Sequence, residues 1–277
     1  MNTTTPPALD VENIKARQKA TWEDGDYAGF ARFMEPGAIE ILNSWSISDN
    51  ITLLDIGCGS GQTAIPAARK GARVTGIDIA DNLIKHARQR ALEENLDINF
   101  DVGDAEALPY ADNSYDTVIS MIGAMFAPRP DRVASELARV TKPGGQLFMA
   151  NWTAGSMPGQ MFKCVGSVTP PPAGLTPPIL WGDEDTVLQR LGENFTNIKL
   201  TRRLYPQWHY PFNTSELVKL FRTHFGPVKR AFDSVEGSQH RELHDQLEQI
   251  YINNSEIRGD ATTITNGEYL EVIATRR

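Results

Sequence analysis

The residues best suited to chemistry are three glycines and an acid. Leu53-Leu54-Asp55-Ile56-Gly57-Cys58-Gly59-Ser60-Gly61 sets Gly57, Gly59 and Gly61 directly behind a short apolar run, where the lack of a β-carbon lets a ligand approach the main chain closely. About twenty residues on, Asp78 in Ile77-Asp78-Ile79 ends the next apolar run, where a carboxylate can accept both hydroxyl hydrogens of a ribose. Together they predict a site for a nucleoside-containing cofactor. The dinucleotide fingerprint is imperfect, because its last glycine would fall at Gln62 and the glycine stands one place early, at Gly61. Asp55, two residues before the turn, would repel a pyrophosphate yet complement an ammonium group, directly or through water. It is equally suited to bonding the turn's own amides. An amino-acid-bearing nucleoside fits this turn better than a dinucleotide.

Such a turn needs a buried parallel strand before it and a helix after it. The apolar, β-branched run Ile51 to Ile56 supplies the strand, and a helix is expected from about Gln62 to Lys70. The alternation continues with strand Arg73 to Ile77, helix Asp81 to Glu94, strands Asn99 to Val102 and Thr117 to Met121, helix Asp131 to Val140 and strand Gln146 to Asn151. This predicts a doubly wound α/β fold with a mainly parallel sheet. Before it, helices are expected from Val11 to Ala20 and Gly37 to Trp45, behind a frayed tail at residues 1–10. Residues 152–182 lose their periodicity among Gly, Met and Pro, including Pro170-Pro171-Pro172, and read as an insertion over the site. A helix near Asp183 to Leu191, a strand from Ile198 to Tyr205, helices at Thr214 to Phe225 and Ser238 to Asn253, and a last strand Tyr269 to Thr275 are expected beyond it. The division is a helical arm over 1–45 and a main domain over 46–277, with the lid-like insertion at 153–182.

Composition bounds the partners. With 277 residues, 40% hydrophobic and 22% charged, the chain resembles an ordinary soluble enzyme domain rather than a disordered or fibrous one. Thirty-five acids against 27 bases give a net charge of -8, which argues against a cationic nucleic-acid-binding surface and favours a small-molecule partner. Two separated cysteines, Cys58 and Cys164, indicate neither a disulfide framework nor a zinc site, so no metal is expected and a reducing cytoplasm fits. No apolar run reaches the roughly 18 residues of a membrane span, and the first residues lack the features of a signal peptide. No heptad or isolated apolar helix face announces an oligomer.

Four ordered segments, LLDIGCGSGQTA, GIDIADNLIKHARQRA, GDAEALPYADNSYDTVIS and ELARVTKPGGQL, resemble the class I S-adenosylmethionine-dependent methyltransferases, most closely the small-molecule group called methyltransferase type 11 or UbiE-like. The resemblance runs from Leu53 to about Trp152 and implies a Rossmann-like seven-stranded sheet, S-adenosylmethionine as cofactor and S-adenosylhomocysteine as product. It further implies that Gly57, Cys58 and Gly59 line the methionine part and that Asp78 binds the ribose. By the same token Ile79 and Leu83 pack near the adenine, Asp104 accepts from its amine, Ala105 offers a backbone N–H, and Ser120 and Met121 border the transferring methyl. The acceptor is not specified. TWEDGDY, with Trp22 and Tyr27, and the later ANW, PPP and LWG pieces look similar to one bacterial branch of the family.

Methyl transfer from a sulfonium needs alignment more than a protein nucleophile. An oxygen acceptor would gain from a general base, whereas an activated carbon or an amine needs little. Of the five histidines, His209 in Tyr205-Pro206-Gln207-Trp208-His209-Tyr210 is the candidate base, among aromatic residues that could wall an acceptor pocket or merely pack. Trp22 and Tyr27 either anchor the arm or close over the cofactor, and Met157, Met161 and Phe162 suggest an adaptable apolar lid. The expected function is methylation of a small molecule on oxygen, carbon or nitrogen, possibilities including aromatic, quinone-like and polyketide-like compounds. An NAD(P)-dependent oxidoreductase and a non-catalytic nucleoside-binding protein are the competing readings.

Overall fold

The computed structural model describes residues 9–258 and 262–277, so most of the expected tail lies outside the described residues. Five parallel strands follow one another in the chain: β1 (Thr52–Ile56), β2 (Arg73–Asp78), β3 (Asn99–Val102), β4 (Tyr115–Met121) and β5 (Thr141–Trp152). Two late strands, β6 (Phe195–Leu204) and β10 (Glu268–Arg276), complete a seven-stranded sheet in the order β3-β2-β1-β4-β5-β10-β6. β10 runs antiparallel to both of its neighbours, so β6 is again parallel to the rest. The fold is the doubly wound α/β sheet that the alternation predicts. Its strand order reverses between β1 and β4, and that switch point opens a crevice at the carboxyl ends of the strands.

Helices α4 (Ala64–Arg69), α5 (Asp81–Glu93) and α6 (Pro130–Val140) are the crossovers, and their apolar residues bury against the sheet. In α6, Val133, Leu137 and Val140 are fully buried at helical spacing. The first three helices, α1 (Val11–Trp22), α2 (Tyr27–Ala31) and α3 (Glu35–Ser44), form the arm. Asp10 and Asp26 cap α1 and α2 by accepting from the amides of Asn13 and Gly29. The short helix α2 is not legible beforehand, because five residues carry too little periodicity.

The stretch read as aperiodic contains a twelve-residue helix, α7 (Met157–Val168), capped by Ser156, whose hydroxyl accepts from Gly159 N at 3.1 Å. Its Gly and Met content hid the pattern, and Met157 and Met161 are buried. Beyond α8 (Glu184–Leu191), the short strands β7 (His209–Tyr210), β8 (Ser255–Ile257) and β9 (Thr263–Thr265) make a separate small sheet. Helices α9 (Thr214–His224), α10 (Gly226–Asp233) and α11 (Ser238–Asn253) pack beside it, with α10 also against α1. Among the described residues no helix is long and apolar enough to cross a membrane.

Candidate active site

The turn after β1 is built around its glycines. Gly57, Gly59 and Gly61 take φ of 71°, 55° and 88°, values that cost a side chain dearly. A β-carbon on Gly57 would lie 2.5 Å from the Cα of Gly123, and one on Gly123 would lie 2.7 Å from the Cα of Gly57. The loops after β1 and β4 therefore touch through two glycines. Ser120 locks the same junction: its hydroxyl donates to Ile56 O at 2.7 Å and accepts from Ala124 N at 2.9 Å.

The turn's amides are already engaged. Gly57 N and Cys58 N donate to Ile77 O at 2.8 and 3.1 Å, and Gly59 N donates to Asp78 Oδ2 at 2.9 Å. Few donors remain there for a pyrophosphate, which weighs against the dinucleotide reading. Asp78 also accepts from Ala80 N at 2.9 Å through Oδ1, so both oxygens are aimed by the backbone while the half-buried side chain still faces the crevice. Burial raises its pKa, and the backbone donors oppose that rise.

Asp55 lies wholly buried beneath the turn. Its Oδ2 accepts from Thr63 Oγ1 at 2.5 Å, and Oδ1 has no hydrogen-bond partner among the described residues. Desolvation, with the charge of Asp78 beside it, pushes its pKa up to about 7 despite the Thr63 bond. Asp55 bonds none of the amides of Gly57, Cys58 and Gly59, a role the sequence reading allowed, but through the Thr63 hydroxyl it latches β1 to the residue ahead of α4. Cys58 is likewise buried, and its thiol is pushed far up by burial, so it is no reactive thiolate.

One cavity collects most of the expected residues. Gly57, Cys58, Gly59, Asp78, Ile79, Leu83, Asp104, Ala105 and Met121 line it from the sheet side, and Trp22 and Tyr27 close it from the arm. Ser120 sits behind the wall as the clamp described above. His209 does not join the site: in the two-residue strand β7 successive side chains face opposite ways, so Trp208 and Tyr210 enter the core and His209 points to solvent. It lines neither this cavity nor the one next to it. No residue of 153–182 lines the first cavity either; its cover is the arm.

The sequence reading missed Lys15. From α1 its ammonium reaches Asp104 Oδ2 at 2.6 Å and Glu106 Oε2 at 2.8 Å, and Glu106 also holds Arg129 at 2.7 Å. The Glu106 side chain is completely buried, so Lys15 and Arg129 neutralise it. Gln18 adds a bond from its amide to Phe126 O at 2.8 Å, and Lys19 pairs with Asp81 at 2.8 Å. Nothing in a lone lysine on an amphipathic helix announces these partners, which lie some ninety residues away.

A second, narrower chamber adjoins the first. The two share the side chains of Trp22, Tyr27, Met34, Ile122 and Phe126. Ile122 stands between them at φ 56°, an uncommon conformation for a β-branched residue and a local strain of about 1 to 3 kcal/mol. The half-buried Tyr27 lies near Asp78, and desolvation, with the Asp78 charge adding to it, pushes its pKa up to about 12, so it stays protonated at neutral pH.

A family model described as a methyltransferase domain matches residues 54–149, the strands and loops that carry the glycine turn, Asp78 and Asp104. An uncharacterized protein of Mycobacterium tuberculosis, Rv1405c, is 35% identical over 229 residues, covering 82% of this chain and 83% of that protein. Methyltransferase GfsG of Streptomyces halstedii is 41% identical over 115 residues, 40% of this chain and 41% of its own length. Among solved structures, phosphoethanolamine N-methyltransferase 2 of Haemonchus contortus, in complex with S-adenosyl-L-methionine, matches with a TM-score of 0.56 at 21% identity over 86% of this chain and 52% of that one. The last likeness concerns the fold, and the sheet order agrees with it. Glycine turn, strand order, family model and relatives converge, and the chain belongs to the class I S-adenosylmethionine-dependent methyltransferases.

Proposed function

We propose that this chain binds S-adenosylmethionine in the first cavity and directs its methyl group to a small-molecule acceptor, on oxygen, carbon or nitrogen. The observation that carries the reading is Asp78: half-buried at the end of β2, with both oxygens aimed by backbone amides, beside a turn whose own amides are spent. That arrangement suits a ribose diol and not a pyrophosphate. Ile79 and Leu83 then flank the adenine, with Asp104 and Ala105 at its polar edge. Gly57, Cys58, Gly59 and Met121 border the amino-acid part, and Trp22 and Tyr27 cover it. The lining offers the group types the cofactor's parts require: a glycine turn for the amino-acid end, the Asp78 carboxylate for the ribose, and apolar Ile79 and Leu83 with Asp104 and Ala105 for the base.

When bound, the cofactor supplies a methyl group already activated by positive sulfur. The chain then has to hold the acceptor in line and keep water out, and such alignment is worth on the order of 7 to 11 kcal/mol. The arm's part is to exclude water, since Lys15, Gln18, Trp22 and Tyr27 form one wall of the cavity. Isothermal calorimetry with S-adenosylmethionine, S-adenosylhomocysteine and NADH tests the assignment, and binding of NADH alone would overturn it. Asp78→Ala is expected to weaken S-adenosylhomocysteine by about 2 to 4 kcal/mol through loss of two charged hydrogen bonds. Unchanged affinity would place the ribose elsewhere.

A further inference from the structure

The second chamber is walled by side chains of one kind. Trp22, Phe126, Trp152, Phe162, Trp208 and Phe225 are among its lining, with Met34, Pro158 and Met161, and among the described residues no acid, histidine, lysine or arginine lines it. Its rings form a connected belt: Trp22 meets Phe126 at 5.0 Å and Phe225 at 5.8 Å between centroids, Phe126 meets Phe162 at 5.5 Å, and Trp152 stacks on Trp208 at 5.5 Å. Among the lining residues Tyr27 alone carries a titratable group. Charged residues on the surrounding elements are engaged elsewhere: Asp24 with Lys229 and Arg230, Glu35 with Arg90, Glu216 with Lys219, and Asp26 with the amide of Gly29, 3.8 Å from His224 Nδ1. Lys163 on α7 is exposed, and Arg222 on α9 lies over the Phe232 ring. Apart from Ile122 and Phe126, every wall residue comes from outside the segment that matches the family model.

Building on the function proposed above, we infer that this chamber takes the flat apolar body of a phenol or enol acidic enough to arrive as its oxyanion. No group in the chamber can remove a proton from the acceptor, so ionisation precedes entry and the proton goes to bulk water. The acceptor's oxygen pair forms the bond to the methyl carbon as the S–CH3 bond breaks, and that bond's electrons remain on sulfur. The anion and the sulfonium become a neutral ether and a neutral thioether. A reaction that cancels two opposite charges gains from surroundings that solvate both poorly, and a chamber whose lining is apolar apart from the Tyr27 hydroxyl and three indole N–H groups is such a place. A protonated amine would meet the sulfonium's like charge with no carboxylate to pair with and no base to take its proton. The chamber holds only about 30 Å³ of open space, so the ring must turn aside unbranched Met34 or Met161 while Phe162 remains as a wall against which it packs.

The test uses the full chain with S-adenosylhomocysteine or S-adenosylmethionine and three probes: 4-nitrophenol, the less acidic 2-naphthol, and N,N-dimethylbenzylamine. With S-adenosylhomocysteine bound, both phenols should quench the fluorescence of Trp22, Trp152 and Trp208. Phe162→Ala and Phe162→Asp should weaken that response at least tenfold without changing S-adenosylhomocysteine affinity, since Phe162 lines the second chamber and not the first. In turnover, the pH midpoint of kcat/KM should follow each phenol's own ionisation. Failure of both phenols to quench the S-adenosylhomocysteine complex, quenching indifferent to both variants, one midpoint common to both phenols, or preferential methylation of the amine would each overturn the inference. Failure of S-adenosylhomocysteine itself to bind would instead remove the cofactor assignment beneath it.

Discussion

Asp55 shows how a motif residue can serve the fold more than the ligand. Its carboxyl is buried with one oxygen unpaired among the described residues, and its pKa rises from 3.8 to about 7. The folded chain thus holds a proton that the unfolded chain has released between those values, so stability from this group is present below about pH 4 and is lost as pH rises towards 7. Urea denaturation at several pH values should show wild type losing stability across that window relative to Asp55→Asn, which cannot titrate. Parallel curves for the two proteins would show that Asp55 is not the group responsible. That Gly57, Cys58, Gly59, Asp78, Asp104 and Met121 line one cavity is legible in the sequence because their placement is local: a turn after a strand, or a position at or just past a strand's end. His209 misled because its aromatic neighbours signal a core, while the two-residue strand that turns it outward is invisible to any periodicity.

At the scale of elements, the sheet and its crossover helices follow from period and punctuation, and β1 to β5 stand within a few residues of their expected places. The observed β5 starts earlier, at Thr141, because Lys142-Pro143-Gly144-Gly145 continues the strand through a register shift against β4. Less legible were α2, α7, α10 and the small sheet, short or Gly-rich elements whose shape is set by what they pack against. The arm belongs to that class in its contacts, because Lys15 finds Asp104 and Glu106 only in three dimensions. Lys15→Met should cost about 1 to 3 kcal/mol, less than a lone buried charge would, since Arg129 still neutralises Glu106. The same change should loosen α1, raising the rate of proteolytic cleavage within residues 11–22. A variant as protease-resistant and as stable as wild type would show that the arm docks through its aromatic residues alone.

For the whole molecule, arm and sheet enclose the first cavity together, so a ligand there draws on both at once. S-adenosylhomocysteine at a hundred times its dissociation constant is expected to add about 2.7 kcal/mol to the unfolding free energy, while NADH leaves the melting temperature unchanged. Differential scanning calorimetry checks both, and equal shifts from the two ligands would contradict the site's selectivity. The place of β10 carries a different consequence. It lies between β5 and β6 and pairs with both, although it is made after both. While the chain emerges from the ribosome, β5 offers a bare edge and β6 has no neighbour until residues 268–276 arrive. A stalled nascent chain lacking that segment therefore displays two open backbone edges, the form in which aggregation or chaperone capture is to be expected.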